Sequence, residues 1–276
     1  IQGPKTRITD IEFEGQQFVS GSRLKTFLEH KEAWGSRLNL PVFGGTWPGG
    51  EGIEADRVKL IEYYRGFGFL DVKIGRRIDY TEDRSRVRLT YIIDEGRQYK
   101  VRDVKLVGNK VFEEQKLTND LQLTSGEVLE RGKLEQDVSK IRETYGKEGY
   151  VFAAVNVEQR VTDKPGEVDL YYQVTEDLPR KIGRINIEGN EITKGRVINN
   201  VMQLEPGQIA DTTELRRAQS RLSGSRLFEV NPQQGIQPVV EFDPANDPSS
   251  EFQDIRVRVQ EAQTGQLMLG AGVNSD

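Results

Sequence analysis

The sequence predicts an α+β protein of three tandem β-α-α-β-β modules, each a three-stranded mixed sheet covered by two helices. One order of strand and helix signals occurs three times in the 276 residues. Each opening strand ends in a glycine, Gly15, Gly108 or Gly189, which suits a positive-φ turn. Each closing strand alternates apolar and polar residues and ends at an acidic residue. The expected modules are residues 1–97, 98–178 and 179–262.

Opening strands show the period of a half-buried strand, because their apolar residues lie two positions apart. The pairs are Ile11 and Phe13, Val104 and Leu106, and Ile185 and Ile187. A short helical stretch follows each strand, and Ser22 is expected to cap the first. A longer helix comes next and ends at a glycine in the first two modules, whereas the third has Leu227 and Phe228 at that place.

Two strands close each module, and the last is the clearer one. Its apolar positions are Val87, Leu89, Tyr91 and Ile93 in the first module, Val168, Leu170, Tyr172 and Val174 in the second, and Ile255, Val257 and Val259 in the third. The first and last strands are separated by helices, so they can pair in parallel. The last two strands are close in sequence and are expected to form an antiparallel hairpin.

The first module carries a Gly- and Pro-rich insert at residues 36–55. Trp34, Phe43 and Trp47 lie in or beside this insert and are candidates for a partner-binding loop. The alternative is that these aromatic side chains fold back and cover their own module.

Composition argues against several classes of function. The net charge of −5 and the pI of about 5.3 give no general attraction to nucleic acid, so no nucleic-acid partner is expected. Cysteine is absent, and no run of about eighteen apolar residues exists. The one histidine, His30, is expected to be solvated, and acidic pairs such as Asp94 with Glu95 are expected to shape turns. We therefore expect no catalytic site, no metal, no cofactor and no enzymatic activity.

Several of these motifs together resemble a known family. They are the strand ending in Gly108 and Asn109, the Tyr-x(3)-Gly-Tyr helix end at residues 145–150 followed by Ala153 and Val155, and the final strand ending in Glu261. The pattern resembles POTRA domains, the periplasmic modules of BamA-like outer-membrane assembly factors, over residues 5–262. Residues 263–276 resemble the start of a first barrel strand. The abrupt ends of the chain suggest a fragment of a longer protein.

The resemblance implies a function on the periplasmic side of the bacterial outer membrane. The modules would receive unfolded outer-membrane proteins from periplasmic chaperones, pass them to a C-terminal β-barrel of the same protein, and dock accessory lipoproteins. A TamA-like or other polypeptide-transporting translocase is the alternative. The fragment itself is expected to be monomeric.

Exposed strand edges are the candidate client sites, because an extended polypeptide can pair with them through main-chain hydrogen bonds. The candidate residues are Val72, Lys73, Ile74, Arg76, Ile78 and Tyr80 in the first module, and Ala153, Val155, Val157, Gln159 and Val161 in the second. Pro232 and Pro238 predict a poorer edge in the third. The resemblance also implies that Glu205, between the helices of the third module, docks an accessory protein; the alternative is a solvated turn residue.

Overall fold

The computed structural model describes residues 6–33, 44–247 and 249–262. Two compact units are present, and the division runs through the middle repeat. One unit contains the described parts of Ile1–Lys105, Asp120–Asp137 and Val157–Tyr172. The other contains those of Leu106–Asn119, Val138–Asn156 and Gln173–Asp276. The expected barrel strand at residues 263–276 lies outside the described residues.

The first module has the predicted element order. Its elements are β1 (Arg7–Glu14), α1 (Gly21–Phe27), α2 (Glu54–Gly66), β2 (Lys73–Tyr80) and β3 (Arg86–Asp94). The strands lie in the order β1-β3-β2. β3 pairs with β1 in parallel and with β2 in antiparallel orientation, as expected from the lengths of the connections.

The same order recurs twice. The second repeat comprises β4 (Lys100–Val107), α3 (Glu114–Thr118), α4 (Arg131–Lys147), β5 (Ala154–Val161) and β6 (Glu167–Thr175). The third comprises β7 (Lys181–Glu188), α5 (Gly195–Met202), α6 (Thr212–Gly224), a 3₁₀ turn at Pro232–Gln234, β8 (Val239–Phe242) and β9 (Phe252–Arg258). Their strand orders are β4-β6-β5 and β7-β9-β8. The predicted fold class is confirmed.

One cap differs from the prediction. α1 begins after Ser20, whose hydroxyl accepts a hydrogen bond from the Arg23 amide at 3.3 Å. Ser22 lies inside the helix, so the expectation that it caps α1 is wrong. Ser20 is the N-cap because its backbone is extended, with φ of −69° and ψ of 146°. This conformation directs its side chain toward the free amides of the first helical turn.

The acidic residue at the end of each closing strand shapes a turn, as predicted. Glu95 accepts hydrogen bonds from the amides of Gln17 and Phe18 at 2.8 and 2.9 Å and from the Tyr64 hydroxyl at 3.0 Å. The Glu95 carboxylate thus links the segment after the opening strand to the end of the closing strand by hydrogen bonds. The corresponding bonds join Glu176 to the amides of Lys110 and Val111 and to the Tyr145 hydroxyl, and Glu261 to the amides of Ile192 and Thr193.

These contacts shift the acidity of two of the carboxylates. Burial opposes ionisation of Glu176, but the hydrogen bonds from Tyr145 and two backbone amides outweigh it, so its pKa lies below the ordinary value. The backbone amide of Thr193 is the main cause of the lowered pKa of Glu261. Both groups are therefore held in the ionised form.

His30 is not a freely solvated side chain, so that expectation is wrong. Its Nδ1 lies 2.9 Å from a carboxylate oxygen of Asp56, which is fully buried in α2. The same carboxylate accepts a hydrogen bond from the Glu29 amide at 2.6 Å. A buried carboxylate needs such partners, and the sequence offered no sign that Asp56 faces the core. Asp137 has the same role in the second repeat, where it accepts from the amides of Gln122 and Leu123.

Candidate polypeptide-binding edges

The outer edge of each opening strand is occupied by a loop of its own module. The Ile8 amide donates to the Gly45 carbonyl at 2.6 Å, and the Ile8 carbonyl accepts from the Ala33 amide at 2.7 Å. Val101 and Ile182 exchange the equivalent bonds with the loops that contain Gly126 and Gly207. The start of this edge is therefore closed to an incoming strand in all three modules.

The middle strand forms the opposite edge. In the β2–β3 hairpin, the Thr81 amide bonds to the Arg86 carbonyl at 3.1 Å, which makes Thr81 and Arg86 a hydrogen-bonded pair. Alternate residues of an antiparallel strand point their main-chain groups toward and away from the partner strand. The main-chain groups that face outward therefore belong to Ile74, Arg76, Ile78 and Tyr80.

A helix side chain occupies the beginning of this edge. The Arg57 guanidinium of α2 donates to the Ile74 carbonyl at 3.3 Å. Arg57 also bonds to Glu54, and this hydrogen bond is the main cause of the lowered pKa of the Glu54 carboxyl. The stretch of outward main chain that remains begins at Arg76, whose side chain pairs with Glu54 at 3.1 Å.

The predicted residues of this edge divide by the direction of their side chains. Val72 precedes β2, and both Val72 and Ile74 are buried in the core, so their side chains do not reach a client. Ile78 is half-buried against the same core. Lys73 and Tyr80 are exposed. What this edge offers is therefore mainly its backbone.

β5 repeats the arrangement. The Thr162 amide bonds to the Glu167 carbonyl at 3.1 Å, so alternation directs the main-chain groups of Val155, Val157, Gln159 and Val161 outward. Arg142 of α4 donates to the Val155 carbonyl at 3.1 Å and occupies the start of the edge, as Arg57 does in the first module. Val155 is buried and Val161 is 58% exposed.

Ala153 lies just before β5, outside the strand. The middle strand of the third module, β8, has only four residues and begins directly after Pro238. Gln219 of α6 accepts a hydrogen bond from the Val240 amide at 3.4 Å. The three helix side chains that contact these edges, Arg57, Arg142 and Gln219, were missed in the sequence because nothing local marks such a contact.

Trp47 is the one aromatic residue of the proposed partner loop that lies within the described residues; Trp34 and Phe43 lie outside them. Its ring packs against the core of the first module. Its indole N–H donates to the Tyr80 hydroxyl at 3.1 Å, and the two rings meet edge to face. Trp47 therefore borders the end of the β2 edge.

Glu205 lies in an exposed turn between α5 and α6. The turn closes through a hydrogen bond from the Gln208 amide to the Glu205 carbonyl, and Gly207 has a φ of 88°. Within residues 44–247 and 249–262, the Glu205 carboxylate forms no ion pair or hydrogen bond. Ile209, four residues later, is 53% exposed. A carboxylate and an apolar side chain are thus both accessible here.

A metal-binding cluster and a membrane-spanning helix are both absent from the part of the chain that the structure describes. No cluster of three or more histidine or acidic side chains there is arranged to hold a metal ion. Nor is any described helix both long and apolar enough to cross a membrane.

The three repeats, each a three-stranded mixed sheet with two helices, define a class of tandem α+β modules. The POTRA family, described as surface antigen variable number repeat, matches residues 6–96, 99–177 and 180–262. The chain therefore belongs to the POTRA family.

Its relatives and one solved structure agree with this membership. Outer membrane protein assembly factor BamA of Nitratidesulfovibrio vulgaris is 24% identical over 99% of this chain and 34% of its own length. BamA of Neorickettsia risticii is 27% identical over 98% of this chain and 35% of its own length. The chain thus spans about a third of these relatives.

The crystal structure of Haemophilus influenzae BamA POTRA3-5 superposes with a TM-score of 0.65. It shares 20% identity and is matched over 93% of this chain and 96% of its own. The expected resemblance to a BamA-like POTRA region is confirmed.

Proposed function

We propose that the chain binds extended segments of unfolded outer-membrane proteins by adding them as strands to the edges of β2 and β5. One observation carries the proposal: main-chain groups at Arg76, Ile78 and Tyr80, and at Val157, Gln159 and Val161, point away from the sheet. Hydrogen bonds to these groups need no particular client side chain. The function is binding alone, on the periplasmic side of the outer membrane, and no step of it is enzymatic.

The partners in this proposal are periplasmic chaperones that deliver the client and a C-terminal β-barrel that receives it. The similarity to proteins named outer membrane protein assembly factor BamA supports a function in that assembly process. β8 contributes less, since it is short and follows a proline. The third module instead docks accessory lipoproteins through Glu205.

The edge proposal is tested by titrating the isotope-labelled chain with peptides from outer-membrane β-strands and following backbone amides by NMR. We expect shifts at the outward residues of β2 and β5, with the amides of Ile8 and Ile182 on the covered edges unchanged. Gln159→Pro removes one outward N–H without removing a β5–β6 hydrogen bond, so it should weaken binding at β5 alone. Unchanged edge amides at millimolar peptide would contradict the proposal.

The docking proposal is tested by replacing Glu205 with lysine and measuring the affinity for purified accessory lipoproteins of the same bacterium. Glu205→Lys should weaken binding at least about tenfold, the loss typical of a charged contact at an interface. Glu191→Lys is the matched control, because Glu191 is an exposed acid of the same module. Equal affinities of both variants would contradict a docking function for Glu205.

A further inference from the structure

Ile92 is an apolar residue of a central strand that is nevertheless 43% exposed. It lies on the face of the first sheet opposite the core, between Glu14 of β1 and Gly75 of β2. Central strands are normally flanked by side chains on both sides. Ile92 therefore has no neighbouring side chain on the β2 side, where it is paired with Gly75.

The backbone does not require a glycine at this position. Gly75 does not have a positive φ, and an added Cβ would come no closer than 3.9 Å to Ile92. Gly15, by contrast, is required by the backbone, because a Cβ at that position would lie 2.2 Å from the Ile93 carbonyl oxygen. Gly75 thus leaves a notch in the edge strand, with the Ile92 side chain as its floor.

The notch lies beside the main-chain edge described above. Gly75 and Ile92 form a hydrogen-bonded pair, so the main-chain groups of Gly75 point toward β3. If a strand were added antiparallel on the other side of β2, the residue opposite Gly75 would therefore be in a non-hydrogen-bonded pair. Side chains approach most closely in such pairs. A large aromatic side chain opposite Gly75 can cover the glycine and contact Ile92, as aromatic residues do beside edge glycines.

Two basic side chains share this face of β2, because Lys73 and Arg77 lie two residues on either side of Gly75. Arg77 pairs with Glu14 at 2.6 Å. Lys73 is exposed and forms no ion pair with a described residue. An acidic residue two positions from the aromatic one would lie beyond Ile74, whose carbonyl Arg57 occupies, and would complement Lys73 through its side chain alone.

We propose that the first module selects strands carrying an aromatic residue with an acidic residue two positions away. This specificity rests on the proposed strand addition. It belongs to the first module alone, because the positions of Gly75 and Ile92 hold Asn156 and Gln173 in the second repeat. In the third repeat they hold Val239 and Arg258.

The test uses the whole chain and two synthetic ten-residue peptides that differ only by tyrosine or alanine at a central position, with aspartate two residues away. The tyrosine peptide should bind about three to ten times more tightly, the range for an aromatic cross-strand pair. It alone should shift the Ile92 methyl signals. Ile92→Thr and Gly75→Val should each remove the difference, because the first removes the apolar floor and the second fills the notch.

The outcomes separate the two proposals. If both peptides shift the edge amides of β2 with equal affinity, the aromatic selection is overturned and strand addition stands. If neither peptide shifts those amides, both proposals fail. Lys73→Glu tests the charge: it should reverse a preference for aspartate over lysine two residues from the tyrosine, and an unchanged preference would overturn the acidic part.

Discussion

The glutamate that follows each closing strand accepts hydrogen bonds from two backbone amides in the segment between the opening strand and the short helix. In the first two modules it also accepts from a helix tyrosine, Tyr64 or Tyr145. These residues recur because the same turn recurs, and a carboxylate bonded in this way is a structural group.

Glu176→Gln is expected to lower the free energy of unfolding by about 1–2 kcal/mol, since charge-assisted bonds to three donors are weakened. Denaturant titration measures this, with the exposed Glu148→Gln as control. The folded-state pKa of Glu176 lies below the unfolded value, so the contribution is full above about pH 4.3 and is lost as the pH falls through the folded pKa. A gap between wild type and variant that persists undiminished at the lowest pH would contradict the account.

Two equivalent tyrosines provide a matched comparison. Tyr172 donates to Asp137 at 3.1 Å, whereas the buried Tyr91 hydroxyl has no hydrogen-bond partner among the described residues. Burial is the main reason that the pKa of each hydroxyl is raised. Tyr172→Phe should destabilise the chain by about 1 kcal/mol, and Tyr91→Phe should have no effect or stabilise it. Equal losses in denaturant midpoint would refute the distinction.

At the scale of secondary structure, the second residue after each long helix shows how the three repeats differ in sequence. Gly68, Gly149 and Arg226 occupy the same place and all have positive φ, at 87°, 86° and 62°. The Gly68 carbonyl accepts from Tyr99, and the Gly149 carbonyl accepts from Arg180. The two glycines thus allow a close approach of the next segment of chain.

This comparison predicts opposite effects of two substitutions. Gly149→Ala should destabilise the chain by more than about 2 kcal/mol, because φ is positive and the Cβ would lie 2.7 Å from the Arg180 carbonyl oxygen. Arg226→Gly should stabilise it by up to about 1 kcal/mol by relieving a left-handed non-glycine backbone. Thermal unfolding checks both, and a loss of stability in Arg226→Gly would contradict the explanation.

Sequence reasoning succeeded where the signal is local. Alternation identified the strands, and glycines identified the turns after them. It failed for His30 and Asp56, because no local pattern shows that an acidic residue of a helix faces the core. Gly75 and Ile92 were also missed, since only the register of β2 against β3 places them side by side.

For the whole chain, the three modules share one fold but differ in the edges they offer. The first has the notch at Gly75 and the Trp47–Tyr80 contact at the end of β2. The second has an edge of eight residues without that notch, and the third has a strand of four. If strand addition is the function, this difference predicts stronger client binding at the edges of the first two modules than at the third.

Strand addition is tested most directly with one client peptide in two N-methylated forms, one methylated at odd positions and the other at even positions. An added strand hydrogen-bonds through alternate residues only. We therefore predict that one form binds with nearly the affinity of the unmodified peptide and that the other loses binding. Equal affinity of both forms and the unmodified peptide would contradict strand addition as the function of these edges.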